Sequence, residues 1–151
     1  MIFIDTDVFV IEELFREDER YQVNKRFLEL EGEKATSIYN LLELCGLASF
    51  TLNATELTNL FTSFHRQYSL RILYPKILKP LPEEMIRNNV SRIFEKICAR
   101  MNYPDAQIIL IAEEYDCSDF VTWNVKHFEG RTHLNVTTPS EYLQTRVQRS
   151  K

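Results

Sequence analysis

Apolar and polar positions along the chain follow two periods that replace each other at short intervals. Met1 to Ile4 is an unbroken apolar run that stops at Asp5, the pattern of a buried strand in a parallel sheet. Over residues 8–15 the spacing turns helical, with Val8, Ile11 and Phe15 on one side and Glu12 and Glu13 on the other. A second amphipathic helix is predicted over 18–30 and is stopped by Gly32. Residues 34–37 read as a brief strand, and Ser37 as the cap of a helix over 38–48. A helix over 55–68 and a strand over 70–74 follow. Pro82, with Glu83 and Glu84 in the first turn, marks the start of a helix over 83–101. Pro104-Asp105 opens another helix that runs to about Tyr115. The remainder reads as a strand (120–123), a helical turn (125–128), a strand (134–136) and a short last helix (139–143). Strands alternate with helices, with no repeat and no Gly/Ser linker. A single α/β domain over 1–151 with a mainly parallel sheet is the economical fold.

Ligands of such sheets bind beyond the carboxyl ends of the strands, and acids occur there. Asp5 directly follows the first strand. Asp7 fits the cap of the helix that begins near Val8, which leaves Asp5 as the candidate site carboxylate. Glu43 is the only charged side chain between Lys34 and Glu56. Either it lies on the one exposed face of its helix, near Asn40 and Gly46, or its charge is compensated by a partner, a metal or a raised pKa. Asp105 alone is explained by the helix dipole. Asp5, Glu43 and Asp105 together, from a strand end, a helix and a helix start, are what a hard cation such as Mg²⁺ or Mn²⁺ requires.

Charge and composition narrow the classes. The chain has 151 residues, 18 Lys+Arg and 22 Asp+Glu, a net −4 that argues against coating nucleic acid by bulk charge. Residues 57–82 nevertheless contain no acid, while Arg66, Arg71, Lys76 and Lys79 contribute positive charge. Tyr68 and Tyr74 lie among them, either as stacking platforms for unpaired RNA bases or as part of an ordinary strand and solvated loop. Arg87, Arg92, Lys96 and Arg100 form a second basic candidate, and the tail with Arg146, Arg149 and Lys151 reads as mobile. Cys45, Cys98 and Cys117 form no C-x-x-C pair, which suits a reducing cytoplasm. No secretory signal and no membrane span is expected. His65, His127 and His133 fall outside the acid motifs, with His127 expected to pack beside Phe128.

The order of motifs resembles the PIN-domain family. The likeness rests on Ile2-Phe3-Ile4-Asp5-Thr6-Asp7, on Glu43 in the helix after Ser37, and on Asp105-Ala106-Gln107-Ile108 with Ala112. It continues in Phe120-Val121-Thr122-Trp123-Asn124-Val125-Lys126-His127-Phe128 and in Thr137-Thr138-Pro139-Ser140-Glu141-Tyr142-Leu143, and so spans almost the whole chain. It implies a three-layer α/β/α fold and a Mg²⁺- or Mn²⁺-dependent ribonuclease, frequently the VapC-type toxin of a toxin–antitoxin pair. Such domains commonly form homodimers. By position, Asp5, Glu43 and Asp105 would bind the metal, with Asp7 and Thr122 hydrogen-bonding around them. The family's fourth acid would fall at Asn124, which brings no charge. Asp119 lies at the other end of its strand, roughly 10 Å away at about 3.3 Å per residue, too far to replace it.

Two other classes compete. Asp5-Thr6-Asp7 after an apolar strand also suggests a haloacid-dehalogenase-like phosphatase, but Phe9 stands where Thr or Val is expected and the later Gly-Asp motif is absent. The neutral Asn124 is compatible with a PIN-like module that binds RNA or protein without catalysis.

Overall fold

The computed structural model describes residues 1–76 and 82–149. The elements in chain order are β1 (Ile2–Ile4), α1 (Thr6–Leu14), α2 (Tyr21–Leu28), β2 (Lys34–Ser37), α3 (Ile38–Ala48), α4 (Ala54–Gln67) and β3 (Arg71–Leu73). They continue with α5 (Pro82–Cys98), α6 (Tyr103–Glu114), β4 (Asp119–Val121), α7 (Val125–Phe128), β5 (Asn135–Thr137) and α8 (Pro139–Arg149). The strands form one sheet in the order β3-β2-β1-β4-β5, every pair parallel. The α/β class and the parallel sheet are therefore as the periodicity predicts.

Alternation along β1 explains the layers, because successive strand side chains point to opposite faces. Phe3 enters one core with Phe120, Phe128 and the apolar residues of α6, and its ring stacks on Phe120 at 5.2 Å between centroids. Ile2 and Ile4 enter the other with Val8, Phe9, Phe27, Leu44, Phe64 and Val121. Sheet and two helical layers make the three-layer α/β/α arrangement.

The chain runs outward from β1 through β2 to β3, then returns to the other side of β1 for β4 and β5. The order reverses between β1 and β4, and such a reversal opens a crevice at the carboxyl ends of those two strands. Asp5 follows β1 there, and Thr122, Trp123 and Asn124 follow β4.

Three boundaries differ from expectation for identifiable reasons. Helix α1 starts at Thr6 because Asp5, not Asp7, is its cap: Asp5 Oδ1 accepts from the Thr6 N–H at 2.8 Å. Helix α2 starts only at Tyr21, since Asp18 is occupied in a turn that accepts from the Arg20 N–H and guanidinium. Helix α8 extends to Arg149 through a sequence free of helix breakers, so the basic tail is not loose as far as that residue. Arg146 donates to the Glu31 carbonyl at 3.0 Å and lies 6.0 Å from the Tyr142 ring centre. Gly32 does turn the chain, with a φ of 137° that side-chain-bearing residues rarely adopt. No helix among the described residues is long and apolar enough to cross a membrane, and the three cysteines are free thiols.

A candidate metal centre at the carboxyl edge of the sheet

Asp5 is the buried centre of the crevice, 7% exposed. Its position is over-determined. Oδ1 accepts from the Thr6 N–H and from Asn40 Nδ2 (3.1 Å), and Oδ2 lies 2.9 Å from Thr122 Oγ1. Asn40 is held in turn by the capping box of α3, in which Ser37 Oγ accepts from the Asn40 N–H and Asn40 Oδ1 from the Ser37 N–H. Asn40 Nδ2 also donates to Thr6 Oγ1 at 2.9 Å, and the Thr6 hydroxyl donates to Glu43 Oε2 at 2.6 Å. A chain of hydrogen bonds thus joins the start of α3, Asp5 and Glu43. Glu43 itself is exposed, on the open face of α3, and is linked to Asp5 through Thr6.

The remaining acids approach from two other elements. Asp7, in the first turn of α1, accepts through Oδ2 from Thr122 Oγ1 (3.0 Å), the Trp123 N–H (2.8 Å) and the Asn124 N–H (3.1 Å). Asp105 sits at the start of α6 below its cap Asn102, whose Nδ2 donates to Asp105 Oδ2 at 2.9 Å. His127 Nδ1 is 3.3 Å from the same oxygen. His127 does pack beside Phe128, 6.5 Å between ring centroids, and the turn α7 in addition carries it back over the start of α6. Asn124 is exposed and enters the crevice network through its backbone N–H, which also donates to Thr122 Oγ1 at 3.0 Å.

Crowding and burial raise the acids' pKa values. Burial, then the charge of Asp7 and more weakly that of Asp105, pushes Asp5 well above the usual carboxylate range. Burial lifts Asp7 to about 6 against the Thr122 hydroxyl and the backbone N–H groups of Trp123, Asn124 and Val8, which favour its charged form. Burial also raises Asp105, with His127 opposing. Like charges beside a buried carboxylate, as Asp7 and Asp105 are beside Asp5, are what a bound cation relieves. As placed, no three His, Cys, Asp or Glu side chains among the described residues lie close enough to hold an ion together. The donors nonetheless suit a hard divalent cation: all are carboxylates, and one buried oxygen, Asp7 Oδ1, has no hydrogen-bond partner. To join Asp5 at one ion, exposed Glu43 and half-buried Asp105 would have to turn towards it.

No protein-family model matches the sequence, and no curated protein matches it. Solved structures do. The chain is similar to VapBC-1 from nontypeable Haemophilus influenzae, with a TM-score of 0.64 at 16% identity over 93% of this chain and 99% of that one. It is similar to FitAcB from Neisseria gonorrhoeae, with a TM-score of 0.63 at 16% identity over 92% and 98%. It is also similar to Mycobacterium tuberculosis VapC20, a sarcin-ricin loop cleaving toxin, with a TM-score of 0.56 at 14% identity over 86% and 91%. The chain has the PIN-domain fold.

On the PIN fold, the structure gathers Asp5, Asp7, Asp105, Glu43, Thr122 and Asn124 at one edge, but not the basic residues. Arg71 opens β3 at the opposite end of the sheet, beside Met1, and Arg66 lies in the last turn of the helix that leads there. Tyr68 is 8% exposed, packed on Phe9 and Phe64, with its hydroxyl bonded to Glu13. It is a core residue and has no face free to stack on a base. Lys76 turns its ammonium onto the Tyr115 ring, 4.7 Å from the centroid, and to the Glu114 carbonyl. Tyr74 is exposed, and Lys79 lies outside the described residues. Asp119 opens β4 at the far edge, where Ser118 and Asn135 donate to it. Asn40, Thr6, Asn102 and His127 are the site residues that sequence reasoning missed. The Ser37-x-x-Asn40 spacing was a usable signal for Asn40, as the partner in a helix cap.

Proposed function

We propose that the protein is a divalent-metal-dependent endoribonuclease and the toxin of a toxin–antitoxin pair, acting in the cytoplasm. The observation that carries this reading is the buried Asp5 at the strand-order reversal, surrounded by Asp7, Glu43 and Asp105 on three separate elements. Asp5, Glu43 and Asp105 would hold Mg²⁺ or Mn²⁺, with Asn124 at the rim. Such an ion supplies Lewis acidity, making water nucleophilic near neutral pH and offsetting charge on the phosphate. Thr122 and Asn40 fix the Asp5 carboxylate, Thr6 orients Glu43, and Asn102 and His127 steady Asp105. Precise placement of this kind is what metal sites obtain from residues behind the ligands. The substrate is RNA, met at the open edge where Lys126 is exposed and Arg131 donates to the His127 carbonyl at 2.7 Å.

An antitoxin partner is supported by the similar structures, one of which is a toxin–antitoxin complex from Klebsiella pneumoniae. Homodimerisation is supported by the outer face of α5, where Ile86, Val90 and Phe94 recur at one-turn spacing, each more than half exposed. The test is cleavage of an RNA panel with Mn²⁺ and with EDTA, using wild type, Asp5→Asn and Asn124→Asp. Cleavage by wild type and by Asn124→Asp in Mn²⁺ only, and none by Asp5→Asn, is expected. A second reading, a PIN module without catalysis, rests on the neutral Asn124. It takes over if folded wild type cuts no RNA of the panel.

A further inference from the structure

A helix-cap role does not account for the surroundings of Asp7, because Asp5 already caps α1. Oδ2 of Asp7 meets three donors from the corner between β4 and α7: the Thr122 hydroxyl and the Trp123 and Asn124 N–H groups. Oδ1 is buried with no hydrogen-bond partner. An asparagine would offer the same three donors a carbonyl oxygen but would set an NH₂ in the buried Oδ1 position, where no acceptor stands. The carboxylate instead brings a charge next to Asp5 and shares with it the single hydroxyl proton of Thr122, 2.9 Å from Asp5 Oδ2. Two acids bracketing one hydroxyl oppose folding unless a cation offsets them. The position where the PIN resemblance expects a fourth acid is Asn124, and its own N–H is bonded to Asp7. The charge absent from side chain 124 is therefore present one hydrogen bond away.

We propose that Asp7 supplies, from the first turn of α1, the fourth carboxylate charge that residue 124 lacks. It is a positioning residue: its oxygens are engaged or shut from solvent, so it acts through the field at the crevice and through the corner it holds. This inference rests on the metal-centre reading.

The test is Mn²⁺ binding by the full chain, followed through the electron paramagnetic resonance of free Mn²⁺, in wild type, Asp7→Asn, Asn124→Asp and the double variant. No catalysis enters the readout. Asp7→Asn should weaken Mn²⁺ binding roughly 10- to 100-fold, and adding Asn124→Asp to it should recover most of the loss. Wild type that binds no Mn²⁺ overturns the metal-centre reading itself. If wild type binds and Asp7→Asn binds equally well, or Asn124→Asp gives no recovery, the inference fails while the metal centre stands. Melting in EDTA checks that Asp7→Asn is folded. Should it not fold, Asp7→Ser, which removes the charge and the longer side chain, takes its place with the same two outcomes.

Discussion

Asp5→Asn should make the metal-free protein more stable while removing its response to metal. The amide fits the existing contacts. Its oxygen accepts from the Thr6 N–H and Asn40 Nδ2 as Oδ1 does now, and its NH₂ takes the place of Oδ2, donating to Thr122 Oγ1. The Thr122 hydroxyl then donates wholly to Asp7. What is lost is a buried charge beside a second acid. Asp7 gives the scale: its rise from 3.8 to about 6, caused first by burial, corresponds to about 3 kcal/mol at about 1.4 kcal/mol per unit. Asp5 is more deeply buried and shifted in the same direction. A gain of about 1–3 kcal/mol is expected, or a rise of roughly 3–10 °C in Tm for a domain of this size. The assay is a thermal melt at pH 7.5 in EDTA, repeated in millimolar Mn²⁺. Wild type should gain stability from the ion by mass action and Asp5→Asn should not. A variant that melts at or below wild type in EDTA would refute the reasoning.

Other outcomes follow from the same contacts. The raised carboxylates bind protons more tightly in the native state than in the unfolded chain. Metal-free stability should therefore be fully gained below the unfolded value near 3.8 and lost as pH rises through about 6. Melts in EDTA should accordingly be higher at pH 5.5 than at pH 7.5, and the reverse order would contradict the shifts. Phe64 is wholly buried, 4.8 Å from Phe9 and 4.9 Å from Tyr68 between ring centroids. Phe64→Ala should cost about 3–5 kcal/mol in urea unfolding, and a loss below about 1 kcal/mol, less than cavity formation imposes, would show that this core is not packed as described. Phe94→Glu, on the outer face of α5, should convert the proposed dimer to a monomer in light scattering, whereas a variant that stays dimeric would place the interface elsewhere.

The site was legible where a local break in pattern carried it. The step from Ile4 to Asp5 marked a strand end, Pro104-Asp105 a helix start, and the isolated Glu43 an acid on an apolar helix. The Ser37 spacing marks Asn40 as a cap partner but not as a site residue, because its Nδ2 reaches Asp5 and Thr6, more than thirty positions away in the chain. Tyr68 misled for the converse reason. An aromatic in an acid-free stretch reads the same whether it faces solvent or core, and the partner that decides, Glu13, comes from α1. The identity of the α1 cap turned on a two-residue shift of the helix start, which apolar spacing does not resolve.

The most direct measurement is the rate of RNA cleavage by wild type as free Mn²⁺ is raised from zero in a metal buffer. A metal centre on Asp5, Glu43 and Asp105 requires no cleavage at zero metal and a rate that saturates at the same Mn²⁺ concentration as independently measured binding. Cleavage that persists undiminished in EDTA, or that survives Asp5→Asn, would contradict it.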